Sequence, residues 1–294
     1  MHICTLHLTF VFLILFSPLA QAFQLRGMDQ PESFIVDPAT GIYYVSNIVG
    51  SHKGKDNKAF IAKIDASGKL IDRHFISGGK KGVTLNAPKG LVISGKNLYV
   101  TDIDVVRSFD TKSGKMLGTI DFSLLGAKFL NDIALGPKGV LFVSDMMGNV
   151  IFKIDPGKNN QVTILAKGPD LGKPNGLVYE ISQNRLLVAT WESGKILGID
   201  MQGNIMTVFQ GSFFQGLKHL DGIDLDRDGN IIVSIFKGGR IFSAGKIYRI
   251  KKYSTVEVLR KNLVTPADIS IDHKNNQVLV PSVDGNLVFT FPLK

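Results

Sequence analysis

Cysteine is almost absent from the 294-residue chain, with Cys4 the single example. It lies just ahead of the one long apolar run, Leu8 to Ala20 (LTFVFLILFSPLA). About 13 residues of such sequence fall short of the ~20 needed to cross a bilayer. Pro18 breaks the end of the run, and Ala20-Gln21-Ala22 fits a small-x-small cleavage pattern. Residues 1–22 are expected to be a secretory signal peptide, although the n-region carries His2 and His7 rather than Lys or Arg. The protein is then expected to be secreted or periplasmic, with no membrane span after cleavage. Removal of the signal would also remove Cys4. That excludes disulfides, cysteine nucleophiles, thiolate metal sites and iron–sulfur clusters from the remaining chain.

Other familiar signals are missing too. There is no G-x-S-x-G elbow, no H-E-x-x-H pair and no G-x-x-x-x-G-K-[ST] phosphate loop. No segment sustains a helical period. Acidic residues are in deficit, 25 against 34 Lys and Arg, for a net charge of +9. The basic residues are scattered, as in Lys53/Lys55/Lys58, Lys80/Lys81 and Lys251/Lys252. They form no stripe, so no nucleic-acid partner is expected. A solvated basic surface, with some attraction to anionic envelope polymers or lipids, is the reading preferred.

What the chain does have is a repeat. A short apolar strand opens each unit: Glu32–Asp37, Lys89–Ser94, Asn131–Gly136, Asn175–Glu180, Asp221–Asp226 and Ala267–Asp272. A second strand, usually ending in a small polar residue, follows each: Ile42–Ser46, Leu98–Thr101, Leu141–Ser144, Leu186–Ala189, Ile231–Ser234 and Val278–Pro281. Four third strands end in Asp, at Asp65, Asp110, Asp155 and Asp200. The units start roughly 45 residues apart, with an insertion around Val49–Asn57 lengthening the first. Six such units predict an all-β, six-bladed β-propeller that uses the whole chain from residue 23 to 294 as one domain. Unit six runs out of chain after its third strand. Phe23–Met28 is expected to supply the missing outer strand and close the ring, because an unclosed blade leaves exposed edges.

Equivalent positions in stacked blades share a circle about the axis. Glu32, Lys89, Asn131, Asn175, Asp221 and Ala267 are therefore expected to ring one mouth of the central channel. Two carboxylates (Glu32, Asp221) and two carboxamides (Asn131, Asn175) offer hard oxygen ligands, which suits a divalent cation such as calcium. Zinc, magnesium and manganese stay open, zinc with least support because the ring has neither His nor Cys. The competing reading is that Asn, Asp and Gly merely start strands as turn residues.

These motifs resemble those of the senescence marker protein/gluconolactonase/luciferin-regenerating enzyme family, six-bladed propellers related to strictosidine synthase. The resemblance rests on Glu32 opening blade one, Pro174-Asn175-Gly176-Leu177, Asp221-Gly222 and Asn131-Asp132. It implies that Glu32, Asn175 and Asp221 hold a catalytic divalent metal and that Asn131 contacts substrate or metal. Two departures stand out. Blade three reads Phe129-Leu130-Asn131-Asp132-Ile133 where the family's lactonases have Arg-x-Asn-Asp-Gly, and blade one reads Glu32-Ser33-Phe34 in place of Glu-Gly-Pro. The substrate-binding Arg is thus missing, which argues against sugar-acid lactones.

The expected function is an exported, metal-dependent hydrolase of a lactone or related ester, acting on a small-molecule substrate. Asp221 is the expected catalytic base, with Asn131 and Lys89 as substrate-binding residues. Lys89 has a second reading, an ion pair with Glu32 that competes with the metal. The alternative function is a non-catalytic exported propeller that binds a ligand or protein, with calcium as a structural ion. Four further features carry less weight. Asp224-x-Asp226-x-Asp228-Gly229 has Ile235 where a calcium loop needs Glu, so a turn is expected. His219 is read as a surface residue or a general base, Trp191 as blade packing or pocket lining, and His52 as part of a solvated loop or a lid.

Overall fold

The computed structural model describes residues 21–211, 217–237 and 244–293. Residues 1–20, with Cys4 and most of the expected signal segment, lie outside this range. Among the described residues, six four-stranded antiparallel sheets form six blades in chain order. Their first strands are Pro31–Val36, Pro88–Ser94, Leu130–Leu135, Pro174–Glu180, Leu220–Leu225 and the short Ser270–Asp272. Among the described residues no helix is long and apolar enough to cross a membrane.

The Asp that ends a third strand shapes the hairpin to the fourth. Asp65 Oδ1 accepts the amides of Ser67 and Lys69, and Asp200 Oδ1 those of Gln202 and Asn204. These are side-chain turns that release the strand pair in a fixed direction. Asp226 builds the same kind of turn between the first and second strands of the fifth blade, accepting from the amides of Asp228 and Asn230, and pairs with Arg249 at 3.2 Å. The calcium-loop-like stretch is therefore a turn.

The core lies between blades rather than within one. Tyr44 and Ile61 of blade one meet Leu91, Leu98 and Phe109 of blade two. Ala189 and Ile196 of blade four meet Ile223 and Val233 of blade five. Each sheet thus buries both faces only in the presence of its neighbours.

The ring closes as expected. Gln24–Arg26 is the outer strand of blade six, pairing antiparallel with Leu287–Pro292. Thr290 N–H donates to the Phe23 carbonyl at 2.8 Å, and the Phe23 ring packs edge-on against Tyr43 of blade one at 5.6 Å. The Tyr43 hydroxyl in turn donates to Asp272 of blade six. The join therefore has backbone, aromatic and polar components.

Candidate active site

Every first strand but the sixth has a register break at its mouth end. The breaks fall between Pro31 and Phe34, Pro88 and Leu91, Leu130 and Ile133, Pro174 and Leu177, and Leu220 and Ile223. A bulge leaves its residues outside the ladder and re-aims their side chains. The five residues so released are Glu32, Lys89, Asn131, Asn175 and Asp221, and all five line one cavity of about 230 Å³ at that mouth. Five of the six positions inferred from repeat register thus meet at this mouth, whereas the sixth, Ala267, is buried and does not line the cavity.

Small hydroxyls on the second strands lock it. Ser46 Oγ accepts from the Ser33 amide and donates to the Lys89 carbonyl. Ser144 Oγ accepts from Asp132 and donates to Asn175, and Ser234 Oγ accepts from Gly222 and donates to Ala267. Thr101 Oγ1 donates to the Asn131 carbonyl at 2.5 Å. Each hydroxyl ties its own blade's bulge to the next blade's ring residue. Ala189 and Pro281 occupy the equivalent positions in blades four and six. The ring residues that follow those two blades are the carboxylates Asp221 and Glu32. The Glu32 carbonyl accepts instead from the Asp268 amide at 3.0 Å.

Glycines follow three ring residues because the blades touch there. A Cβ on Gly176 would stand 2.2 Å from the Asp221 carbonyl oxygen, and one on Gly222 2.2 Å from the Ile269 nitrogen. Asn-Gly and Asp-Gly in this register therefore mark close approach of neighbouring blades as well as strand starts.

The polar floor is buried and incompletely satisfied. Glu32 is 6%, Asn131 5%, Asn175 1% and Asp221 5% exposed. Glu32 Oε2, Asn131 Oδ1 and Asp221 Oδ1 have no hydrogen-bond partner. Burial pushes the Glu32 carboxyl well above its usual value, and the charges of Asp221 and Asp268 add to the shift. Asp221 is raised by burial and by Asp268, with the Asn175 amide pulling the other way. Asp268 itself, pushed to about 7 by burial, was missed in the sequence because the repeat register points to its neighbour Ala267.

Two of these three unpartnered oxygens belong to carboxyls disfavoured as anions, and buried oxygen acceptors are rarely left bare, so the floor offers an oxygen donor set open to a ligand. The donor chemistry fits a hard divalent ion. Among the described residues no three His, Cys, Asp or Glu side chains gather as a metal cluster, so any cation here depends on the carboxamides as well.

Lys89 does not pair with Glu32. Its Nζ donates to the carbonyls of Ala87 and His52, at 3.0 and 3.1 Å, and sits 4.2 Å from the centre of the Phe129 ring. Burial lowers it to about 8. Two of its donors are thus held by backbone, and Lys89 is among the residues that line the cavity. His52 lines the same cavity from the blade-one insertion, which Lys55 anchors to Asp104 at 2.5 Å. Trp191 also lines it, whereas His219 is exposed and packs at a tilt against Trp191, ring centres 4.9 Å apart, and is not among the residues lining the cavity. Phe129, Met146, Phe236 and Val283 line the cavity as well, and apolar residues beside strand ends carry no sequence signal of such a place.

The sequence matches no protein-family profile and no curated protein. Similarity to solved structures, however, is extensive. A virginiamycin B lyase from Staphylococcus aureus, a catalytically inactive variant with quinupristin, matches at 17% identity over 93% of this chain and 99% of its own, with a TM-score of 0.64. A luciferin-regenerating enzyme matches at 13% identity over 93% and 96%, TM-score 0.67. A provisionally assigned gluconolactonase matches at 16% identity over 92% of each chain, TM-score 0.65. The fold is theirs. At these identities the likeness establishes the six-bladed propeller, and it is shared with proteins named as lyase, lactonase and regenerating enzyme.

Proposed function

We propose that the protein is an exported, divalent-cation-dependent hydrolase of a lactone or related ester. The observation that carries this reading is the trio of buried, unpartnered oxygens on Glu32, Asn131 and Asp221 at the floor of one cavity. Glu32, Asn175 and Asp221 would hold the cation, with Asn131 beside them, and calcium suits this oxygen set best. When bound, such a cation supplies Lewis-acid polarisation of a carbonyl oxygen.

The chain's own groups supply the rest. The Asp221 carboxylate accepts the proton of the attacking water and returns it to the alkoxide released as the acyl–oxygen bond breaks, so that the ring opens to a hydroxy acid. Asn131 orients the ester. Its Nδ2 contacts the Met146 sulfur at 3.6 Å, which leaves Oδ1 turned to the cavity. Lys89, held by two carbonyls, receives the carboxylate that ring opening creates.

Melting of the protein with and without calcium tests the site. A ligand at 100 times its Kd adds about 2.7 kcal/mol, a shift of about 5 °C or more for a chain of this size. The shift should vanish in Glu32→Ala, and calcium-dependent ester turnover should vanish in Asp221→Ala. A wild-type protein that melts identically with calcium, magnesium, manganese and zinc, and turns over no ester, would leave the non-catalytic binding reading in its place.

A further inference from the structure

The polar ring has an apolar companion. The residue just past the second strand is Ile48, Ile103, Met146, Trp191, Phe236 and Val283 in blades one to six. These positions repeat with the blades and so form a second circle at the same mouth. Ile48 and Ile103 turn aside to pack with Ala87. Met146, Trp191, Phe236 and Val283 instead wall the cavity, joined by Phe129. Among the described residues, the polar groups lining the cavity besides the floor are Lys89 and His52.

Resting on the reading of the floor as an ester-binding site, we infer that this cavity selects a compact aromatic lactone or ester and rejects polyhydroxylated sugar-acid lactones, with Phe129, Trp191 and Phe236 as the specificity-determining wall. The space of about 230 Å³ exceeds the ~150 Å³ that accommodates benzene. It holds one aromatic ring and a fused or attached ester. The wall is preset for such a ring: Trp191 is braced by Phe236 at 5.5 Å and by His219 at 4.9 Å, in tilted contacts that fix its plane. A sugar-acid lactone would press several hydroxyls against Phe, Trp, Met and Val side chains. Each hydroxyl buried without a partner weakens binding by roughly tenfold.

Trp191 is the sole tryptophan of the chain, so its fluorescence reports occupancy of the cavity whether or not turnover occurs. The test uses the calcium-loaded protein with two lactones, dihydrocoumarin and glucono-δ-lactone. It pairs them with their ring-opened acids, 3-(2-hydroxyphenyl)propanoate and gluconate, as binding probes. The expected result is saturable quenching by the aromatic acid alone and turnover, above the uncatalysed rate, of dihydrocoumarin alone. Phe236→Ala should weaken the aromatic acid by about tenfold with the calcium-dependent melting shift retained, which shows that the variant folds. Gluconate binding as tightly as the aromatic acid, or glucono-δ-lactone turned over as fast as dihydrocoumarin, would overturn the inference while leaving the hydrolase reading intact. Aromatic quenching with neither lactone hydrolysed would uphold the aromatic cavity and remove the hydrolase. Neither binding nor turnover would remove both.

Discussion

At the scale of single residues, the hydroxyl at the end of a second strand is the most informative feature of this propeller. Ser144 satisfies the Asp132 amide at 2.9 Å and the Asn175 carbonyl at 2.8 Å, both of them buried. Ser144→Ala leaves a donor and an acceptor unpaired, and should lower stability by about 2–4 kcal/mol. Chemical denaturation would read that loss directly, and calcium affinity should fall with it because Asn175 loses its register. The role of Ser144 was only half visible beforehand. Small polar residues at strand ends were apparent in the repeat, but their bridging of neighbouring blades depends on a bulge that backbone geometry creates. Lys89 shows the same limit. Its place on the ring followed from the repeat, whereas its partners are the carbonyls of Ala87 and His52, and carbonyl direction has no side-chain signature in sequence.

At the scale of elements, the N-terminal strand Gln24–Arg26 decides whether blade six is complete. Phe23 fixes it by packing on both Phe34 and Tyr43 of blade one. Phe23→Ala removes a half-buried aromatic from that join and should cost about 2–3 kcal/mol. Amide exchange should show the loss concentrated in Leu287–Pro292 and its neighbour Gln277–Ser282, since those strands lose their outer cover. Uniform loss of protection across all six blades would contradict this account. Closure by this segment was legible from counting strands. The tethering of the blade-one insertion by Lys55 and Asp104 was not, because it joins loops of different blades.

At the scale of the whole molecule, five buried acids gather about the central channel: Glu32, Asp132, Asp221, Asp224 and Asp268. Burial lifts every one above its usual value, Asp224 to about 6 and Asp268 to about 7. A carboxyl whose value is higher folded than unfolded favours the fold below the unfolded value, and that contribution is lost as pH rises through the folded one. Lys89, lowered only to about 8, stays largely protonated across this window. The cation-free protein should therefore lose stability between about pH 4 and pH 7, and calcium should flatten the slope by favouring the ionised forms of Glu32 and Asp221. Melting temperatures across that range, with chelator and with calcium, would decide it. A cation-free profile that is flat or rises from pH 4 to 7 would rule out this accumulation of acids as a controlling term.

The sequence alone determined the blade number, the closing strand and the membership of the polar ring. All three depend on periodicity, and a repeat converts chain spacing into angular position without any knowledge of contacts. Tertiary structure alone decided which ring oxygens are orphaned, that Lys89 is held by backbone carbonyls rather than by a direct ion pair with Glu32, and that Met146, Trp191, Phe236 and Val283 stand above the floor as an apolar wall. Those outcomes depend on bulges that aim side chains inward and on neighbouring blades approaching closely enough to bury them. The apolar ring repeats as regularly as the polar one. It is not legible in sequence, because an isolated Met, Trp, Phe or Val after a strand is ordinary core material until the fold places it over a cluster of unsatisfied oxygens.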